Sequence, residues 1–200
     1  MPAKKLFLAT LLAGLVLFVW GAISHALLPF YNTSFKKFTN EEQVAQVVSA
    51  NVLKSGTYFL PYEPQVPDGA TDEQKKASMD AFMDRMTKGP FVFASIRVGG
   101  MWSFGGLYSV QIVTNLLTGL LLASLLWSVR HLSFRNRIWF VEGIALLVIL
   151  TRVVPNWNWY AFGADYTLAE SLDVVVGYLL AGLVISKLMT PKATVPTSAT

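Results

Sequence analysis

The chain has 200 residues, of which 54% are hydrophobic and only 14% charged, with a formal net charge of +4 and no cysteine; its mean hydropathy is +0.48. A soluble domain carries about 25% charged residues, so this composition marks an integral membrane protein. The lack of a thiol excludes membrane thiol–disulfide chemistry and thiolate-held metal or iron–sulfur centres.

A hydrocarbon core of about 30 Å is crossed by roughly 20 apolar residues in helical form. The first such segment spans residues 6–28, behind Lys4 and Lys5. Its basic start, apolar run and Ser24-His25-Ala26 imitate a signal peptide with a cleavage site after Ala26. The run is long for a leader, and His25-Ala26-Leu27-Leu28 prolongs the helix up to Pro29. Residues 1–29 are therefore read as a retained transmembrane helix with His25 one turn inside its outer end.

Residues 30–100 are expected to form a small α+β extracytoplasmic cap. Thr39-Asn40-Glu41-Glu42 has the form of a capping box, and Val44, Val47, Val48 and Val52 recur at helical spacing, which predicts a helix over 40–53. "TYFLP" at 57–61 and "FVFASIRV" at 91–98 are β-prone and able to pair as a two-stranded ribbon. Between them, Thr71-Asp72-Glu73-Gln74 opens a second capped helix with Met79, Phe82, Met83 and Met86 on one stripe, closed by Gly89-Pro90. That stripe is read as packing surface rather than a thioether copper site, because Phe82 interrupts the methionine spacing.

Three further apolar segments, 107–129, 138–154 and 167–188, place transmembrane helices two to four within residues 101–188; the third segment is short and is expected to end at Pro155. Basic residues flank the segments at Lys4 and Lys5, at Arg130, Arg135 and Arg137, and at Lys187 and Lys192. Lys and Arg stay cytoplasmic in short loops, so both termini are expected inside, 30–100 and 155–166 outside, and 189–200 as a disordered cytoplasmic tail. Trp102, Trp127, Trp139, Trp157, Trp159 and Tyr160 fall near segment ends, where amphipathic rings prefer to sit. The expected fold class is an all-α polytopic protein, a four-helix transmembrane bundle with the cap between helices one and two.

Polar side chains inside a membrane are costly and usually find partners. His25, Gln111, Asn115, Arg152, Glu170 and Asp173 all fall in the outer half of the predicted spans and form the candidate ligand-binding residues or polar seam. Thr114 and Thr118 share the stripe of Gln111 and Asn115, and Gly14 and Gly21 that of His25. Gly177-x-x-x-Ala181 has the small-residue spacing of a close helix contact. Arg152 is expected to pair with Asp173 first and Glu170 second, with Glu170 capping its helix through a Thr167-x-x-Glu170 box. Glu142 lies apart, near the inner face, in the company of Arg135, Arg137 or water. A metal held by His25, Glu170 and Asp173 is set aside, since Arg152 opposes a cation and the three lack a diagnostic spacing. No catalytic residue is assigned, because only His25 with an acidic partner offers an acid–base pair.

The strings "FVWGAISHALLP", "NEEQVAQVVSAN", "SGTYFLP" and "NWNWYAFGADYTLAESLDVVVGYLLAGLV" resemble, in the same order, a set of uncharacterised bacterial inner-membrane proteins of about this length. The resemblance implies a bacterial four-helix inner-membrane protein and no activity. One departure is Phe162-Gly163-Ala164, where a proline is expected after the phenylalanine. The functional expectation is a non-enzymatic accessory or assembly subunit of a membrane complex, or alternatively a protein that binds or transports a small solute through a capped polar seam. No cofactor and no nucleic acid is expected, the basic residues being accounted for by topology; the expected partners are the lipid bilayer and a larger complex or further copies of the chain.

Overall fold

The computed structural model describes residues 1–189; the expected tail and the Lys192 flank lie outside them. Four helices are long and apolar enough to cross a membrane: α1 (Ala3–Ala26), α5 (Phe104–Ser128), α6 (Phe134–Tyr160) and α7 (Ala164–Met189). Three shorter elements follow α1 before α5: α2 (Pro29–Ser34), α3 (Glu41–Asn51) and α4 (Asp72–Lys88), with the strands β1 (Gly56–Leu60) and β2 (Val92–Ile96).

Local chemistry sets the boundaries. Leu28 is extended, with φ −87° and ψ 139°, the conformation favoured before a proline; it separates α1 from α2, where Pro29 starts the helix without losing a bonded N–H. This short helix was not foreseen. The start of α3 also differs from the expected Thr39 box. Asn40 is the N-cap, its side chain accepting from the Gln43 N–H at 3.0 Å. Asn caps at least as well as Thr, and the later start puts Glu41 and Glu42 in the first turn, against the positive end of the helix dipole. The box at Thr71 forms as expected: its hydroxyl accepts from the Gln74 N–H at 3.2 Å, and its own N–H donates to the Gln74 side chain at 2.9 Å. Gly89 closes α4 at φ +72°, a left-handed conformation that glycine adopts at no steric cost.

The third long helix corrects a further expectation. Instead of ending at Pro155, α6 widens into a π-helical turn over Ile149–Val153 and continues to Tyr160. Proline has no N–H and its ring crowds the preceding turn; the extra residue in the π turn, with Val154 N–H reaching back to Ile149, lets the chain pass it without stopping. The connection to α7 shrinks accordingly from the expected 155–166 to residues 161–163, with Ala161 at φ +56°.

The chain divides into two compact units. One comprises residues 36–101 and 156–162. Within it β1 and β2 pair antiparallel, Gly56 opposite Ile96 and Leu60 opposite Val92, and Phe93 stacks on Tyr160 at 4.3 Å. Neither α3 nor α4 contains a buried residue. Met79 and Met83 of the apolar stripe on α4 are exposed.

The other unit holds residues 1–35, 102–155 and 163 onward. Residues 30–35 therefore belong with the long helices rather than with the cap, because Tyr31 buries its ring there. In it α1 packs on α5 and α7, and α6 chiefly on α7, so the helices follow the order α5–α1–α7–α6. Their shared core lies toward the start of α1: Ala9, Ala13, Leu122, Ala123, Leu126, Val141, Ala181 and Ile185. Here α1 and α5 touch backbone to backbone. A Cβ on Gly119 would stand 2.9 Å from the Thr10 carbonyl oxygen and 3.0 Å from the Gly14 nitrogen. Small residues allow such contact, and dispersion between the closely packed helices is what holds it.

Candidate functional site

Beyond the Gly14–Gly119 crossing, α5 and α7 no longer meet across α1, and a cleft of about 550 Å³ opens between the three helices. Four of the six polar residues singled out in the sequence line it: His25, Gln111, Asn115 and Asp173. Arg152 and Glu170 do not. The cleft floor on α1 includes Gly21, and a Cβ there would meet nothing within 4 Å. Gly14 and Gly21, although on one stripe, thus serve opposite purposes: Gly14 closes a contact and Gly21 leaves a space.

His25 is held by its own helix. Nδ1 lies 3.0 Å from the Gly21 carbonyl oxygen and 2.9 Å from the hydroxyl of Ser24, which itself donates to that carbonyl at 3.2 Å. A carbonyl only accepts, so the contact with Gly21 calls for a proton on Nδ1. The ring stacks on Tyr31 at 4.2 Å. Tyr31 in turn meets Tyr166 edge-on at 6.1 Å, and Phe35 leans on Tyr166 at 5.6 Å, so α2 folds back over the start of α7. Burial, then the carboxylates of Asp173 and Glu170, and then Tyr166 push the Tyr31 phenol well above its ordinary value of 10.

On α5, the Gln111 amide donates to Asn115 Oδ1 at 3.0 Å. Thr114 and Thr118 spend their hydroxyls on carbonyls one turn back, at Val110 and Thr114, which is how threonine satisfies itself inside a helix. The polar stripe of α5 is thereby reduced to Gln111 and Asn115. Asn115 is 8% exposed, and among the described residues its Nδ2 has no partner.

On α7, Asp173 Oδ1 and Glu170 Oε2 are buried and accept no hydrogen bond. The expected ion pair is not formed: among the described residues no salt bridge joins Arg152 to Asp173 or Glu170, whereas on α4 Lys75 pairs with Asp72 and Lys88 with Asp84. Arg152 is exposed on the π turn, within electrostatic reach of Glu170 together with His25. Nor does Glu170 cap a helix. The helix begins at Ala164, upstream of the expected box, and Thr167 donates to the Gly163 carbonyl at 2.9 Å. Among the described residues Glu142 Oε1 is also buried without a hydrogen bond.

Several contributors were not foreseen. Trp20 joins the helices beneath the cleft, its indole N–H donating to the Asp173 carbonyl at 3.2 Å while its ring fills the space left by Gly177, 3.2 Å from where a Cβ would stand. Tyr108 and Tyr178 line the opening with it. In sequence these aromatics are indistinguishable from membrane-facing rings; only the i, i+1 adjacency of Trp20 and Gly21 on the His25 helix hints that they matter. Among the described residues no three His, Asp or Glu side chains converge as a metal site. No family model, curated protein or solved structure matches the chain.

Proposed function

We propose that this is a non-enzymatic, multi-pass protein of a bacterial inner membrane that works by binding, taking a small molecule with an apolar body and a polar head into the cleft between α1, α5 and α7. The observation that carries the reading is the cleft itself: about 550 Å³ of mostly apolar space with His25, Gln111, Asn115 and Asp173 gathered on its walls. Pockets for small ligands have this character, a largely apolar lining with a few convergent polar groups. Its place between helices of hydrocarbon-spanning length gives a ligand access from the bilayer.

Mass spectrometry of the protein purified in mild detergent tests this. A co-purifying small molecule held by the wild type and lost in Gly21→Leu, which puts a side chain into the cleft from a Cβ position with nothing within 4 Å, is the expected result; equal retention in both chains overturns it.

A second reading, an accessory subunit of a larger complex, is favoured by α4, whose Met79 and Met83 are exposed beside the half-buried Phe82 and Met86. A stoichiometric partner in native membranes, lost in Met83→Glu, is its expected sign. Both readings put residues 36–101 outside the cell and both termini inside, on the strength of the basic flanks. In sealed cells an impermeant thiol reagent is then expected to label Asp68→Cys and not His131→Cys.

A further inference from the structure

The geometry points to a primary ammonium group on a long apolar chain as the class of ligand that the cleft accepts. The inference rests on the proposed binding role and adds the chemistry of the head group. The polar lining offers free acceptors. With Nδ1–H on the Gly21 carbonyl, a neutral His25 ring presents Nε2 as an acceptor. Gln111 donates its amide to Asn115 and keeps its own carbonyl oxygen. Asp173 Oδ1 is buried with no hydrogen bond. Donors are present as well, the Asn115 Nδ2 on a side chain more than nine-tenths buried, the second N–H of the Gln111 amide and the hydroxyls of Tyr108 and Tyr178, but none of them carries a charge. No Lys or Arg lines the cleft, Arg152 lying outside it.

A carboxylate with an unused oxygen and no Lys or Arg on the cleft wall calls for a ligand that brings positive charge as well as donors, and an ammonium brings three N–H groups and one charge. The rings of Trp20, Tyr108 and Tyr178 at the same opening attract cations through their π faces. A carboxylate or phosphate head would face Asp173 with like charge and find no cation on the cleft wall. An alcohol would leave the charge of Asp173 unmatched, which is costly away from water. The apolar chain would lie along Leu17, Phe18 and Val174 toward the lipid.

Dodecylamine, dodecanol and dodecanoic acid, each titrated into the purified chain in dodecyl maltoside, test the head group by the shift in thermal midpoint. Phosphatidylethanolamine against phosphatidylglycerol in nanodiscs tests whether the amine comes as a lipid head rather than free. The amine, free or as phosphatidylethanolamine, is expected to raise the midpoint saturably. Asp173→Asn is expected to weaken the effect by about thirtyfold or more, the usual consequence of removing one member of a buried charge pair. Asp173→Glu, which keeps the charge, is expected to retain most of it. A stronger response to the alcohol or the acid that Gly21→Leu abolishes overturns the head-group assignment and leaves the cleft as a binding site. A response to the amine that survives both Asp173→Asn and Gly21→Leu overturns the assignment by placing binding elsewhere. If no ligand of any class responds in a chain that melts cooperatively, the binding role falls as well.

Discussion

Near the start of α1, Ala9, Ala13, Gly14, Gly119, Ala123 and Ala181 bring three helices so close that a single added methyl group would strike backbone. Toward its end the same helix presents Gly21, His25 and Ala26 to an open cleft, and α5 and α7 stand apart. Both regions use small residues on α1. The difference lies in what faces them: at the first, small residues on α5 and α7 and the aliphatic Leu122 and Leu126; at the second, Gln111, Asn115 and Asp173, whose polar groups are not satisfied by closing the gap. Close packing in a membrane is driven by dispersion between complementary surfaces, and a polar face without partners forfeits it. The chain thus has one end built to hold its shape and one end left with unused hydrogen-bonding capacity.

The sharpest way to break that comparison is to put the same side chain at both ends. Gly119→Leu is expected to destabilise by about 1–3 kcal/mol or more, since the obstructing atoms are backbone and overpacked cores relax poorly. Gly21→Leu is expected to stay within about 0.5 kcal/mol of wild type, as substitutions into open space do. Thermal melts in detergent compare them, and similar losses at both positions would mean that the cleft is not open.

How much of this was legible in the sequence follows from the same contrast. The existence of four spans, the strand pairing expected between 57–61 and 91–98 and found at 56–60 and 92–96, and the Thr71 cap are local properties of length, alternation and capping chemistry, whereas the end of the third span, expected at Pro155 and found at Tyr160, is not. Four of the six seam residues share one cleft because helical periodicity puts them on facing stripes. The Arg152 ion pair fails for a physical reason: similar depth does not put two side chains on facing sides, and Arg152 stands on the π turn before Pro155. Tyr31 was missed because a helix of six residues after a Leu-Pro break leaves no periodicity to read, and its folding back on α7 is a tertiary event.

A smaller effect sharpens the account of the open end. The Tyr31 phenol is held in its neutral form by burial and by the nearby carboxylates. An acid whose pKa is higher folded than unfolded contributes stability fully below its unfolded value and loses it as pH rises past that value. Stability is therefore expected to fall above about pH 10, by up to about 1.4 kcal/mol per pH unit. Melting midpoints at pH 9 and 11 are expected to drop further in the wild type than in Tyr31→Phe. An identical drop would detach Tyr31 from the carboxylates of α7.

The smallest effect is expected at Arg152. An exposed guanidinium without an ion pair contributes about 0–1 kcal/mol, so Arg152→Ala is expected to melt close to wild type and Arg152→Ala with Asp173→Ala to lose no more than the two singles together. A strong departure from additivity in the double-mutant comparison would restore the ion pair.

Because the chain has no cysteine, a single introduced thiol reads local access directly, and α1 carries an alanine in each region. Ala13 is fully buried against α5, and Ala22 is exposed on the cleft. Reaction of Ala13→Cys and Ala22→Cys with a small water-soluble maleimide, followed in mild detergent, compares the two ends of one helix. The account predicts rapid modification at position 22 and none at position 13 until the protein is unfolded in dodecyl sulfate. Equal rates, or faster reaction at position 13, would contradict a sealed end and an open one.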